Sequence, residues 1–146
     1  MVRFQLVIDC ADPDRMARFW KEALHYEFVP APDGFDSWDD YYRDLGLGDE
    51  DLGLGEDRLR DPDGHGPRIW FQQVPDVKSV KNRLHLDISV GGDRTVPPGT
   101  RRARVEAEAQ RLVDLGATMT RMLADPGIDH VAAAMTDPEG NEFDIN

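Results

Sequence analysis

The sequence predicts an α+β protein built from two copies of one module, in which a strand and a helix are followed by about three more strands (βαβββ). RLHLDIS at 83–89 aligns without a gap on RFQLVID at 3–9. An amphipathic helical pattern follows each segment, and the turn DPDG at 61–64 recurs as DPEG at 137–140. Such a duplication indicates two equivalent modules, which we place at residues 1–75 and 76–146.

The first module opens with a strand and a helix. Apolar and polar side chains alternate over residues 3–10, which is the period of a strand with one apolar face. Asp12 then offers a side-chain N-cap and Pro13 suits the first helical position, so we expect a helix from about Pro13 to about His25.

The rest of the first module is predicted to be strands and loops. Apolar pieces at 26–29 and 38–45 are separated by prolines and a glycine, which favours hairpin strands. Residues 44–57 repeat an acidic, glycine-containing motif whose spacing does not fit a calcium-binding loop, so we expect a mobile, solvated loop. A strand at 69–74 ends the module, and 75–82 is a polar connector.

The second module repeats this order. A helix is expected over TRRARVEAEAQRLVDLGA at 100–117, with Gly116 as its C-terminal stop. Its apolar face is predicted to consist of Val105, Ala109, Leu112 and Val113. Beyond it we expect a strand at 118–122, a turn at 125–127, a strand at 130–137 and a last strand at 141–146.

Composition excludes several classes of function. Twenty-nine acidic against 17 basic residues leave a formal charge of −12, which opposes binding to nucleic acid. No apolar run approaches the roughly 20 residues of a membrane span, and no secretory signal pattern is present. The single cysteine, Cys10, is expected to be a small buried apolar residue. We therefore expect a soluble cytoplasmic protein with no membrane partner.

Strand alternation predicts one polar cleft. The helix-covered faces are expected to carry Phe4, Leu6, Ile8, Leu84, Leu86 and Ile88. If the modules join edge to edge, the opposite faces form one cleft that contains Gln5, Gln72, His85 and Asp144, with Trp70 on its wall. Asp87 lies on the same face as His85, roughly 7 Å along the strand.

Three segments resemble a known family. They are the opening from Gln5 to Trp20, KNRLHLDISV at 81–90, and above all the ending MTDPEGNEFDIN at 135–146. They are similar to the glyoxalase-like branch of the vicinal oxygen chelate superfamily, which includes glyoxalases, bleomycin- and fosfomycin-resistance proteins and extradiol dioxygenases. The resemblance spans nearly the whole chain except the acidic loop. It implies that both modules form one glyoxalase-like domain, an open, curved mixed β-sheet half-barrel with helices outside, and a homodimer.

The resemblance also implies a set of metal ligands. Enzymes of this family hold a divalent ion with one residue from the first strand and one from the last strand of each module. By position these residues are Gln5, His85 and Asp144. The fourth position falls on Arg68, or on Trp70 if a gap is placed at Gly66-Pro67, while Gln72 is the only plausible ligand on that face.

Several roles remain open at this stage. His85 is a metal ligand, a contact to a metal-free ligand, or a structural histidine, and His85 and Asp144 are also the candidate catalytic residues. Trp70, Gln72 and Asp87 are expected to contact a small-molecule ligand. For Trp70, and for the cluster of Trp38, Tyr41 and Tyr42, packing is the alternative.

Two classes of function follow from these expectations. The first is a protein that binds a small molecule in a concave cleft and sequesters it, as resistance proteins of the family do. The second is a lyase, isomerase or dioxygenase that depends on a divalent metal and acts on a small oxygenated substrate. The cofactor is accordingly nickel, zinc or iron, which suit an imidazole ligand, or none.

Overall fold

The computed structural model describes residues 2–53, 56–125 and 129–146, with the backbone alone at positions 51 and 125. The chain divides into two compact units, Met1–Val77 and Lys78–Asn146. Each unit contains a four-stranded mixed sheet that does not close on itself. The α+β class and the two βαβββ modules are confirmed. None of the helices in the described ranges is long and apolar enough to cross a membrane.

The first unit has strand order β1-β4-β3-β2, in which β1 and β4 are parallel and the other neighbours antiparallel. Its strands are β1 (Gln5–Cys10), β2 (Glu27–Phe28), β3 (Arg58–Arg60) and β4 (Arg68–Gln73). Its helices are α1 (Pro13–Leu24), α2 (Trp38–Asp44) and a single 3-10 turn at Asp49–Asp51.

Helix α1 forms as the sequence predicts. The Asp12 carboxylate accepts a hydrogen bond from the Arg15 amide at 3.1 Å, and His25 ends the helix in the left-handed conformation (φ 55°). The apolar face of α1 packs on β3 and β4. Trp20 on the helix and Phe71 on β4 are only 2% and 1% exposed. Burial of such large side chains contributes roughly 1.5–3 kcal/mol each to folding.

The prediction of a strand at 38–45 was wrong, because this segment is helix α2. Ser37 caps the helix by accepting a hydrogen bond from the Asp40 amide at 3.1 Å. Trp38 lies three and four residues before Tyr41 and Tyr42, a spacing that places the three rings together on a helix. The strand that was missed is β3, which pairs with both β2 and β4.

The predicted loop at 44–57 is only partly a loop. Residues 49–51 form the 3-10 turn, and the Gly53 amide donates to Asp39 Oδ1 at 2.7 Å. Asp57, at its end, is 6% exposed and belongs to the packed interior. Residues 54–55 of this loop, and the predicted turn at 125–127 from position 126 onward, lie outside the described residues.

The second unit has strand order β5-β8-β7-β6, with β5 and β8 parallel. Its strands are β5 (Asp87–Ile88), β6 (Thr118–Asp125), β7 (His130–Thr136) and β8 (Glu142–Ile145), and its helix is α3 (Pro98–Asp114). Helix α3 packs on β6, β7 and β8 through a buried face. That face comprises Arg101, Val105, Ala109 and Leu112.

Three predicted burial positions were wrong. Phe4 and Leu84 are 70% and 85% exposed, because both precede the residues at which β1 and β5 begin to pair with a neighbouring strand. Val113 is 37% exposed, since it follows Leu112 and is turned away from the sheet. The strand expected over 83–89 is regular only at Asp87–Ile88.

The two Asp-Pro-x-Gly turns adopt the same structure. Asp61 and Asp137 each accept a hydrogen bond from the amide two residues ahead, at 3.0 Å in both turns. Gly64 and Gly140 have φ angles of 71° and 88°, a region that favours glycine. Each turn precedes the last strand of its unit, so the duplication extends from sequence to backbone conformation.

Candidate functional site

Asp144 lies on β8 between two core residues. Phe143 and Ile145 are 1% and 0% exposed, so alternation directs the Asp144 side chain to the opposite face of the sheet. Strand β5 runs parallel to β8 and pairs Asp87 with Asp144. The two carboxylates are therefore neighbours on one face.

His85 joins this pair from the segment that leads into β5. Its Nε2 atom lies 3.2 Å from Asp87 Oδ1 and 3.7 Å from Asp144 Oδ2. The imidazole and the Asp87 carboxylate are 43% and 51% exposed. Within the part of the chain that the structure describes, His85, Asp87 and Asp144 offer ligand atoms that all lie within 4.8 Å of one another.

The other predicted site residues, Gln5, Trp70 and Gln72, lie on β1 and β4 of the first unit. Alternation on β4 buries Ile69 and Phe71, which leaves Trp70 and Gln72 on the other face as expected. That these residues share one cleft with His85 and Asp144 stays a prediction.

Strand pairing identifies the first-unit counterpart of Asp144. In the sequence repeat Val7 corresponds to Asp87, and Val7 pairs with Trp70 in parallel as Asp87 pairs with Asp144. The counterpart of Asp144 is therefore Trp70 rather than Arg68. An indole and a valine take the places of two carboxylates, so at these positions the first unit offers only the Gln5 amide to a cation.

A buried carboxylate that sequence analysis missed holds Trp70 in place. Trp70 Nε1 donates to Asp57 Oδ2 at 2.9 Å, and Arg58 Nε lies 3.2 Å from Asp57 Oδ1. Burial raises the pKa of the Asp57 carboxyl, although the Trp70 and Arg58 contacts oppose this rise. The Arg58 guanidinium also stacks over the Trp38 ring, 4.7 Å from its centroid, and donates to the Tyr42 hydroxyl.

Nearly the whole chain matches one known domain family. A model of the glyoxalase-like domain matches residues 5–146. The chain belongs to the glyoxalase-like domain family. The search of curated proteins found no match.

Solved structures of glyoxalase-like proteins share the fold. One is a glyoxalase/bleomycin resistance protein/dioxygenase family enzyme from Burkholderia phytofirmans PsJN, with 14% identity, 97% of this chain and 94% of that chain covered, and a TM-score of 0.60. A second is a glyoxalase-related enzyme from Fulvimarina pelagi, with 16% identity, coverage of 99% and 86%, and a TM-score of 0.59.

A third is a mutant of the fosfomycin resistance protein FosX from Listeria monocytogenes, complexed with Mn(II) and 1S,2S-dihydroxypropylphosphonic acid. It has 11% identity, coverage of 100% and 90%, and a TM-score of 0.60. At identities this low, the TM-scores show a common fold alone.

The donor set of this glyoxalase-like chain fits a divalent ion. One imidazole nitrogen and two carboxylate oxygens converge within 4.8 Å, and two carboxylates offset the charge of such an ion. The sequence predicts Asp87 as a contact to an organic ligand and not as a metal ligand. The signal was present, because Asp87 and His85 are two residues apart and share one face of a strand.

Proposed function

We propose that this glyoxalase-like protein binds a divalent cation through His85, Asp87 and Asp144, and uses that site to bind a small oxygenated molecule. The observation that carries the proposal is the convergence of three ligand atoms within 4.8 Å. The fosfomycin resistance protein supports it, since that protein is complexed with Mn(II) and a molecule with two adjacent hydroxyl groups. The two carboxylates of the cluster suit Mn²⁺, while the imidazole suits Zn²⁺, Ni²⁺ and Fe²⁺.

Each side chain has a defined role in this proposal. His85 supplies an unprotonated ring nitrogen, and Asp87 and Asp144 supply negative charge. A bound divalent ion would supply Lewis-acid polarisation of the ligand's oxygen atoms. In a catalytic version of the proposal, a lyase, isomerase or dioxygenase, the Asp87 or Asp144 carboxylate would also accept a proton from the substrate, because a neutral imidazole that binds an ion through one nitrogen carries its proton on the other.

A second candidate function is sequestration of a small molecule without a metal. The observation that favours it is the first unit, where Val7 and Trp70 replace the paired carboxylates and give an aromatic, apolar surface. Trp70 and Gln72 would then contact the ligand directly. Pockets for organic ligands are mostly apolar with a few polar groups, which matches this composition.

The proposal includes a homodimer. Each open sheet ends in edge strands, β1 and β2 in one unit and β5 and β6 in the other. Edges of this kind are commonly covered by another strand or subunit. Light scattering at micromolar concentration is expected to give twice the 16.5 kDa of one chain. A particle of 16.5 kDa would contradict the dimer and leave the metal site unaffected.

Metal titration tests the proposed function. Tag-free, metal-stripped protein is titrated by calorimetry with Mn²⁺, Zn²⁺, Ni²⁺ and, without oxygen, Fe²⁺, with Mg²⁺ as a reference. We expect one ion per chain and a higher melting temperature with the bound ion. The dihydroxypropylphosphonic acid of the fosfomycin resistance protein then serves as a vicinal-oxygen probe.

The outcomes separate the two candidate functions. No uptake of any ion rejects the metal-dependent function. If, in addition, a small aromatic or electrophilic compound raises the melting temperature of the metal-free protein, sequestration is supported. If ions bind and Asp87→Asn binds them as tightly as the wild type, the proposed ligand set is wrong.

A further inference from the structure

His85 lies outside the regular part of β5, which includes only Asp87–Ile88. The backbone before β5 is held next to β8 on both sides of His85. On the C-terminal side, the Asp144 amide donates to the Leu86 carbonyl at 2.9 Å. On the N-terminal side, the contact is made by the side chain of Glu142.

Glu142 binds the connector at two points. Its Oε2 atom accepts a hydrogen bond from the Asn82 amide at 3.0 Å and lies 3.0 Å from Lys78 Nζ. The Asn82 side-chain amide in turn donates to the Glu142 carbonyl at 3.3 Å. The Asn82 hydrogen bond and the Lys78 ammonium lower the pKa of the Glu142 carboxyl to about 2.

Glu142 and Asp144 share one face of β8. Phe143 and Ile145 point into the core, so the two acidic side chains, two residues apart, point the same way. One of them holds Asn82 and the other contacts His85, three residues further along the chain. The segment that carries His85 is thus bound at both ends to the strand that carries Asp144.

We infer that Glu142 is a positioning residue, whose carboxylate holds residues 78–82 against β8 and thereby places His85 beside Asp87 and Asp144. The inference rests on the proposed metal site, because that site needs His85 within reach of both carboxylates. Glu142 itself is not a ligand. Groups that orient metal ligands in this way commonly change metal affinity 10–100-fold when removed.

Four variants test the inference. Glu142→Ala removes the carboxylate, whereas Glu142→Gln keeps an oxygen that can accept from the Asn82 amide. Lys78→Gln removes the ion pair but leaves both hydrogen bonds with Asn82. Glu106→Ala is the matched control, since it breaks a glutamate–arginine pair on α3, 2.7 Å to Arg102, on the same unit.

Two measurements are made on each variant. Calorimetry gives the affinity for Mn²⁺ and Zn²⁺, and NMR of the metal-free protein gives the imidazole chemical shifts of His85. We expect Glu142→Ala to weaken metal binding about 10–100-fold and to shift the His85 resonances. Glu142→Gln should retain most of the wild-type metal affinity and His85 chemical shifts. Lys78→Gln should weaken metal binding less than Glu142→Ala does, and Glu106→Ala should change neither the affinity nor the shifts.

The inference is overturned if Glu142→Ala keeps the His85 resonances and the metal affinity of the wild type. It is also overturned if Glu106→Ala loses as much as Glu142→Ala, because the loss of any carboxylate on this unit, rather than of the connector contact, would then be responsible. If the wild type takes up neither ion, the proposed function fails, and the NMR shifts alone decide the position of His85. Should Glu142→Ala not fold, Glu142→Asp, whose shorter side chain reaches Asn82 less well, replaces it with the same measurements.

Discussion

Replacing His85 by alanine is expected to reduce divalent-metal affinity by at least about 100-fold, because a direct ligand should cost at least as much as the groups that orient it. His85 supplies the single nitrogen of the proposed site, and its Nε2 lies 3.2 Å and 3.7 Å from the two carboxylates. Its side chain is 43% exposed, so the free energy of unfolding should change by no more than about 0.5 kcal/mol. Calorimetric titration with Mn²⁺ and Zn²⁺ and urea unfolding measure the two effects.

His65→Ala provides the matched control. His65 is exposed and lies in the first unit, where its backbone amide donates to Asp61. An alanine there keeps that hydrogen bond and should leave metal affinity unchanged. If His85→Ala binds the ions as tightly as His65→Ala, His85 is not a ligand and the site must be assigned to other residues.

Replacing Phe143 by alanine is expected to destabilise the protein by about 3–5 kcal/mol, the range measured for buried aromatic side chains. Phe143 is 1% exposed and lies on β8 between Glu142 and Asp144. The cost combines lost apolar burial with the cavity that remains in the core. Because most domains are stable by only 5–15 kcal/mol, urea unfolding should show a large fall in the midpoint.

Phe4→Ala is the matched control, because it makes the same substitution at an exposed position. Phe4 is 70% exposed, so the same substitution should cost no more than about 0.5 kcal/mol. Equal losses for the two phenylalanines would contradict the assignment of Phe143 to the core. Since Phe143 also anchors the strand that carries Asp144, we expect Phe143→Ala to weaken metal binding as well.

The sequence by itself determined the modules and the faces of the last strand of each unit. Alternation placed Ile69 and Phe71 inside with Trp70 and Gln72 opposite, and placed Phe143 and Ile145 inside with Asp144 opposite. This succeeds because a strand has a period of two and one buried face, so local pattern decides the direction of each side chain. Local capping chemistry likewise predicted the start of α1 at Pro13.

Local pattern failed where a neighbouring segment decides the structure. The apolar residues of Trp38–Asp44 are compatible with either a strand or a helix. The Ser37 cap and the packing of the Trp38 ring on Arg58 favour the helix. Arg58–Arg60 is too short and too polar to predict a strand. It becomes one because β2 and β4 supply hydrogen-bond partners on both sides.

The candidate site shows the same division. His85 and Asp144 were identified from sequence, since a duplicated strand and a resemblance to glyoxalase-like proteins marked both. The sequence put Asp87 on the face of His85 and offered Arg68 or Trp70 as the counterpart of Asp144. Only the tertiary structure set Asp87 beside Asp144 and chose Trp70, because both facts depend on which residues pair across parallel strands. A strand's own sequence determines which side chains share a face, whereas the register between strands distant in sequence determines which of them meet.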